Sequence, residues 1–171
     1  MSYKVGNATE KTLTVRRFCA ASAVAVISLF LATSVQGEDL NSQVAQRIEQ
    51  ITGKTILFRN DSDRIPQLEY LGPDGTGVVW SAALGDKVVP VVWTASNGDD
   101  GKGALCLLFK GADIGTAQDV RMCDGLDIVE SGIRDARDGD PYSLVGATRM
   151  KAELPQDVDG LADVDRLLGR E

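Results

Sequence analysis

Leu105-Cys-Leu-Leu-Phe109, a loop from Gly111 to Gln118, and Asp119-Val-Arg-Met-Cys123 form the stretch from which the fold is read most directly. Both flanking segments have strand character, and the glycine-containing loop between them separates the two. Placing Cys106 opposite Cys123 in an antiparallel pair sets Leu107 against Met122 and Phe109 against Val120 on one side. The same register sets Leu108 against Arg121 and Lys110 against Asp119 on the side shared with the sulfurs. Because side chains alternate between faces, one register yields an apolar face, a charge-compatible face and a covalent bridge together. The expectation is a Cys106–Cys123 disulfide with Leu107, Phe109, Val120 and Met122 inward and Lys110, Asp119 and Arg121 outward. A directly cross-strand bridge is geometrically tight, and a displacement of one strand across a sheet is the alternative.

Upstream of this hairpin the chain is punctuated like a β protein. Lys54 to Arg59 and Gln67 to Gly72 are strand candidates, and Pro73-Asp-Gly75 is a turn leading into Thr76-Gly-Val-Val-Trp80. Lys87 to Thr94 is a further run, in which Pro90 predicts an edge or a bulge. Ser96 to Gly103 reads as a loop. Downstream, Asp127 to Ser131 and Tyr142 to Arg149 are expected to close the sheet. Before the first strand, Asn41 or Ser42 caps a segment with Val44, Ile48 and Ile51 on one helical face and Gly53 as its stop. Asp157 to Gly169 is either a terminal amphipathic helix through Leu161, Val164, Leu167 and Leu168 or an acidic tail. Short strands with turn signals every ten or so residues predict a mainly β fold, a small antiparallel barrel or sandwich with a short N-terminal helix.

At the N-terminus, Arg16-Arg17 precedes a 14-residue apolar run, Phe18 to Leu31, followed by the small and polar stretch Ala32 to Gly37. That order is the layout of a secretory signal, and the run is shorter than the roughly 20 residues of a membrane-spanning helix. The aromatic directly after the arginine pair and the absence of a following Lys favour ordinary export over the twin-arginine route. Cys19 lies at the start of the apolar run, not in a lipoprotein box near its end. Cleavage is expected after Gly37, with Ser34 as the other position and an uncleaved anchor as the alternative. The resulting organisation is a signal peptide over 1–37, one β-rich domain over 38–154, and a tail or helix over 155–171. Periplasmic or secreted residence follows, with no stable membrane anchor after cleavage, and Cys106 and Cys123 become an even pair in an oxidising compartment.

The whole chain carries a net charge of -7; without Lys4, Lys11, Arg16, Arg17 and Glu10 it holds 14 basic and 24 acidic residues, a net of -10. Such a surface repels phosphate backbones and anionic lipid, which excludes nucleic acid and favours a small solute or a basic envelope protein as partner. The chain has no histidine, so Ser-His and Cys-His nucleophile pairs and His-ligated metals are excluded. No Gly-x-Ser-x-Gly elbow, Ser-x-x-Lys pair or phosphate-cradling Gly-x-x-x-x-Gly-Lys loop is present. Asn97, Asp99 and Asp100 fail the EF-hand spacing, with Gly101 and Leu108 at ligand positions, so neither a metal nor another cofactor is expected. Only carboxylate chemistry is left for an enzyme, and no pair among the scattered acids stands out. Tyr70, Trp80 and Trp93 are the candidate ligand-binding residues, with a core placement of the tryptophans as the competing reading.

Gly53-Lys-Thr-Ile-Leu57, Tyr70-Leu-Gly-Pro-Asp-Gly75 followed by Trp80, the Val-Val-Pro-x-x-Trp strand, Leu105-Cys-Leu107, Cys123 and Gly139-Asp-Pro-Tyr142 occur in that order. The layout resembles small secreted α-proteobacterial proteins of uncharacterised function, over Gly53 to about Tyr142. The resemblance implies a β fold in the periplasm and brings no activity or catalytic residue with it. A non-catalytic binding or interaction module is the functional expectation. The alternatives are an inhibitor of an extracellular enzyme such as lysozyme, which an acidic surface suits, and a carboxylate-dependent hydrolase, which requires two acids to converge in a pocket.

Overall fold

Asn41 caps the first element of the structure, a computed structural model that describes residues 39–62 and 64–170. The expected signal segment, residues 1–37, and the expected cleavage position lie outside the described residues. The Asn41 Oδ1 accepts the Val44 N–H at 3.0 Å, and helix α1, Ser42–Ile51, buries Val44, Ile48 and Ile51 as their spacing predicts. Six strands then follow as an antiparallel meander: β1 Lys54–Arg59, β2 Pro66–Leu71, β3 Thr76–Ser81, β4 Val88–Ser96, β5 Ala104–Phe109 and β6 Val120–Gly125. Strand β7, Ile133–Asp138, pairs with the free side of β1, so the order is β6-β5-β4-β3-β2-β1-β7. The sheet stays open, with β6 and β7 as edges, so the closed barrel is not formed and a sandwich-like arrangement is.

The register in the disulfide hairpin is the expected one: Cys106↔Cys123, Leu107↔Met122, Leu108↔Arg121 and Phe109↔Val120. Cys106 and Cys123 are bridged with their Cα atoms 4.0 Å apart, and the Lys110 Nζ lies 2.7 Å from the Asp119 carboxylate. Bridging residues 17 apart in sequence stabilises the fold by about 3 kcal/mol in the chain-entropy account. The expected burial is corrected on one strand. Leu107 and Phe109 are covered, but Val120 is 36% and Met122 52% exposed, because β6 is an edge with no further strand beside it.

Three other expectations are corrected. Asp127 to Ser131 is not a strand: after the one-turn helix α2, Gly111–Ile114, in the hairpin loop, it lies in helix α3, Leu126–Gly132, which buries Leu126 and Val129, three residues apart, where a strand would alternate. Arg47 of α1 holds α3 in place by pairing with both Asp127 at 2.7 Å and Glu130 at 2.6 Å, acids that share one helical face. Tyr142 to Thr148 is irregular, with turns in place of a strand, because the Asp140 carboxylate takes the N–H groups of Leu144 and Val145 that a ladder would need. The segment meets the sheet at Arg149, which forms an isolated antiparallel bridge with Lys87. Pro90 lies on an interior strand. The ladder to β5 starts at Val91↔Phe109, so no β5 residue stands opposite the position that lacks an N–H.

Each face of the sheet is covered. On one, Leu57, Leu68, Trp80 and Val88 pack against Tyr142, Leu144, Leu154, Val158 and the final helix α4, Leu161–Leu167. The segment 155–171 therefore contributes a terminal helix, whose Leu161 and Val164 are buried in the core. The other face packs Ile56, Phe58, Leu71, Trp93 and Leu105 against α1 and α3. Phe58 meets α3 at Gly132, where a Cβ would stand 2.3 Å from the ring, so only glycine allows this approach.

Candidate functional site

Alternation along β2 decides the site. Leu68 turns to the face covered by α4, and Gln67, Glu69 and Leu71 turn to the face covered by α1 and α3. The ladders carry this second face across the sheet as Ile56, Glu69, Val79 and Val89 in one row and Phe58, Gln67 and Ser81 in the next. On the far side the same face is carried by other rows, Trp93, Leu107 and Met122 in one and Ala95, Leu105 and Asp124 in the next. In a flat sheet β2 and β6 would be about 19 Å apart, four strand spacings. Instead Gln67 and Glu69 of β2 line a single recess with Leu105, Leu107 and Phe109 of β5 and Met122 and Asp124 of β6. The sheet is therefore curled into a trough, with Phe58 and Val129 closing the recess at the α3 end.

The recess has a volume of about 40 Å³, and it shares Gln67, Phe109 and Met122 with a wider, open pocket of about 320 Å³. The wider pocket is mainly apolar, walled by Val79, Leu84, Ile114 and Val120, with Ser81 and Gln67 as its polar side chains. Its size falls at the lower end of small-molecule sites, roughly 300–1,000 Å³.

Glu69 is the chemically unusual residue of the trough. It is 7% exposed, and no group among the described residues donates a hydrogen bond to its carboxylate or pairs with it. Burial, and secondarily the nearby Asp124 charge, push its carboxyl up to about 7. Among the described residues no Lys or Arg lines the recess. The sequence reading passed over Glu69 and Asp124, since an acid within a half-apolar strand looks solvent-facing until both faces are known to be covered.

The three aromatics named from the sequence do not converge. Trp80 is fully buried on the α4 face with its Nε1 donating to the Gly85 carbonyl at 3.0 Å, and Trp93 is on the opposite face with its Nε1 donating to the Gly72 carbonyl at 2.8 Å. Tyr70 lines a groove of about 360 Å³ on the outer, convex face with Pro90, Val92 and Leu108. That groove is larger than the trough pocket but holds no buried polar group to orient a ligand. The loop Asn97 to Asp100 is structural, Asn97 Oδ1 accepting the Asn41 N–H at 2.8 Å and Asp100 accepting the Lys102 N–H. Among the described residues no group of three or more Cys, Asp or Glu is placed to hold a metal, and no helix is long and apolar enough to cross a membrane.

Comparison with protein-family models, with curated protein sequences and with solved structures gives no match to this chain. The disulfide-bonded β fold is compatible with an oxidising location.

Proposed function

We propose that this protein is an exported, non-catalytic binding module that holds a small apolar ligand in the trough of its curled sheet. The observation that carries this reading is the open apolar pocket between β2–β3 and β5–β6, which ends in a narrow polar recess. Export to the periplasm or beyond is supported by the charged start and 14-residue apolar run of the sequence, and by the disulfide. Mass spectrometry of the purified extracytoplasmic form is expected to give a mature N-terminus at or near Glu38; an intact Met1 in a membrane fraction contradicts export.

Binding is tested with the neutral fluorophore N-phenyl-1-naphthylamine. Its emission is expected to rise saturably with protein. Met122→Glu, which sets a charge in the mouth of the trough, is expected to weaken binding about tenfold or more. Val92→Glu, on the convex face, is expected to leave it unchanged. Absence of saturable binding, or loss with Val92→Glu alone, contradicts the reading.

The convergence of Glu69 and Asp124 in one recess is the observation that favours the hydrolase as a second reading, since a carboxyl raised toward 7 beside a second acid matches a general-acid pair. The recess volume weighs against it. A cavity needs about 10–15 Å³ to hold one water, so about 40 Å³ has room for a few waters, and a sugar ring or peptide unit has no place between the two acids. A hydrolytic activity abolished by Glu69→Gln would establish that reading in place of the first.

A further inference from the structure

We infer that the ligand of the trough carries a protonated amine, held by the Glu69 and Asp124 carboxylates in the inner recess while its apolar body fills the wider pocket. This rests on the binding-module reading above and names the chemical class of ligand for that site. Three features support it. Glu69 is buried, unpaired and part of the recess wall, so once ionised it is an acceptor facing a space whose lining offers no cation and, as side-chain donor, the neutral Gln67 amide. Asp124 adds a second carboxylate from β6, across the trough, and the Gln67 side chain between recess and pocket is also without a hydrogen-bond partner. The recess is large enough for one head group the size of an ammonium ion and too small for a ring.

Every other choice of head group leaves a cost. A carboxylate or phosphate meets two acids at close range with no Lys or Arg to offset them. A wholly apolar ligand would shut the Glu69 oxygens off from their remaining contact with water and leave them unmatched. An alcohol supplies one neutral donor where two carboxylates wait, and a charge-assisted hydrogen bond is roughly twice as strong as a neutral one. The groups that line the recess with Glu69 from the surrounding elements are Phe58 on β1, Leu105, Leu107 and Phe109 on β5, Met122 and Asp124 on β6 and Val129 on α3, so among the described residues Asp124 is the only other titratable group there. An alkylammonium, with a pKa near that of lysine at about 10.4, stays charged across pH 6–8. Its binding is therefore expected to tighten over that interval as Glu69 ionises, while binding of a neutral analogue stays level.

The test uses the mature protein and three probes with one eight-carbon chain: n-octylamine, n-octanol and n-octanoate, titrated by calorimetry at pH 6 and pH 8. The expected order at pH 8 is amine first by about tenfold or more over alcohol, and octanoate weakest. In Glu69→Gln, which keeps the side chain's size, the amine-to-alcohol ratio is expected to collapse toward one and its pH dependence to disappear. If alcohol and amine bind equally to the unaltered protein, or the ratio survives Glu69→Gln, the amine assignment is wrong and the trough still binds apolar molecules. If none of the three binds, the binding-module reading itself fails.

Discussion

Replacing Trp80 with alanine lowers the unfolding free energy by about 3–5 kcal/mol, the cost of emptying a fully buried indole site in a packed core. Trp80 sits among Leu68, Val88, Leu144 and Leu154, joining the sheet to the C-terminal segment, and its N–H has a partner within the protein, the Gly85 carbonyl. The loss is a large share of the roughly 5–15 kcal/mol available to a typical domain. Urea titration reads it as a lower midpoint with an unchanged slope. A loss below about 1 kcal/mol, accompanied by weaker ligand binding, would instead make Trp80 part of a binding surface.

Glu69→Gln has the opposite sign. The carboxyl, ordinarily near 4.5, is raised to about 7 in the fold, so between those values the folded state binds more protons than the unfolded state. Stability therefore falls as pH rises through that window and is level, as far as Glu69 is concerned, below 4.5 and above 7. The whole effect amounts to about 3 kcal/mol. Glutamine removes the ionisation that burial opposes. The variant is expected to be more stable than the unaltered protein by about that amount at pH 8, and little different at pH 4. Denaturant unfolding at pH 4, 6 and 8 measures both curves. Parallel pH profiles for the two proteins would show that Glu69 does not titrate in this window.

Stability and function pull against each other at this residue. A glutamine or leucine at 69 would suit the fold better than a carboxylate does, so retaining the acid in an apolar trough calls for a role outside folding. The proposed ammonium ligand supplies one, because a bound cation offsets the desolvation that raises the carboxyl.

The disulfide hairpin, α1 and the first three strands were legible because their signals are local. Alternation fixed the faces of β5, Asn41 and the spacing Val44, Ile48, Ile51 fixed the helix, and Pro73-Asp-Gly75 fixed a turn in which the Gly72 N–H donates to the Thr76 carbonyl. Strand β7 was not legible, and its chemistry explains why. Its sequence Ile133-Arg-Asp-Ala-Arg-Asp138 carries four charges in six residues, a pattern that protects a sheet edge from unwanted pairing and in doing so hides the apolar alternation. Helix α3 was misread for a related reason. Over so short a span, Leu126, Ile128 and Val129 satisfy both periods, and the contacts that go with the helix, Leu126 and Val129 in the core and Arg47 on Asp127 and Glu130, come from 80 and 83 residues away in the case of Arg47. The candidate site was the least legible part. Glu69 and Asp124 meet only because the sheet curls, a property of the accumulated twist of all its strands that no single segment records.

Methyl-resolved NMR of the purified protein, titrated with N-phenyl-1-naphthylamine, tests most directly whether the trough is the binding site. The methyl groups of Val79, Val120 and Met122 line the trough, and those of Val92, Leu108 and Val145 line the convex groove. The first set is expected to shift with a common dissociation constant while the second stays still. Saturable shifts confined to Val92, Leu108 and Val145 would place the ligand on the other face of the sheet and contradict the account.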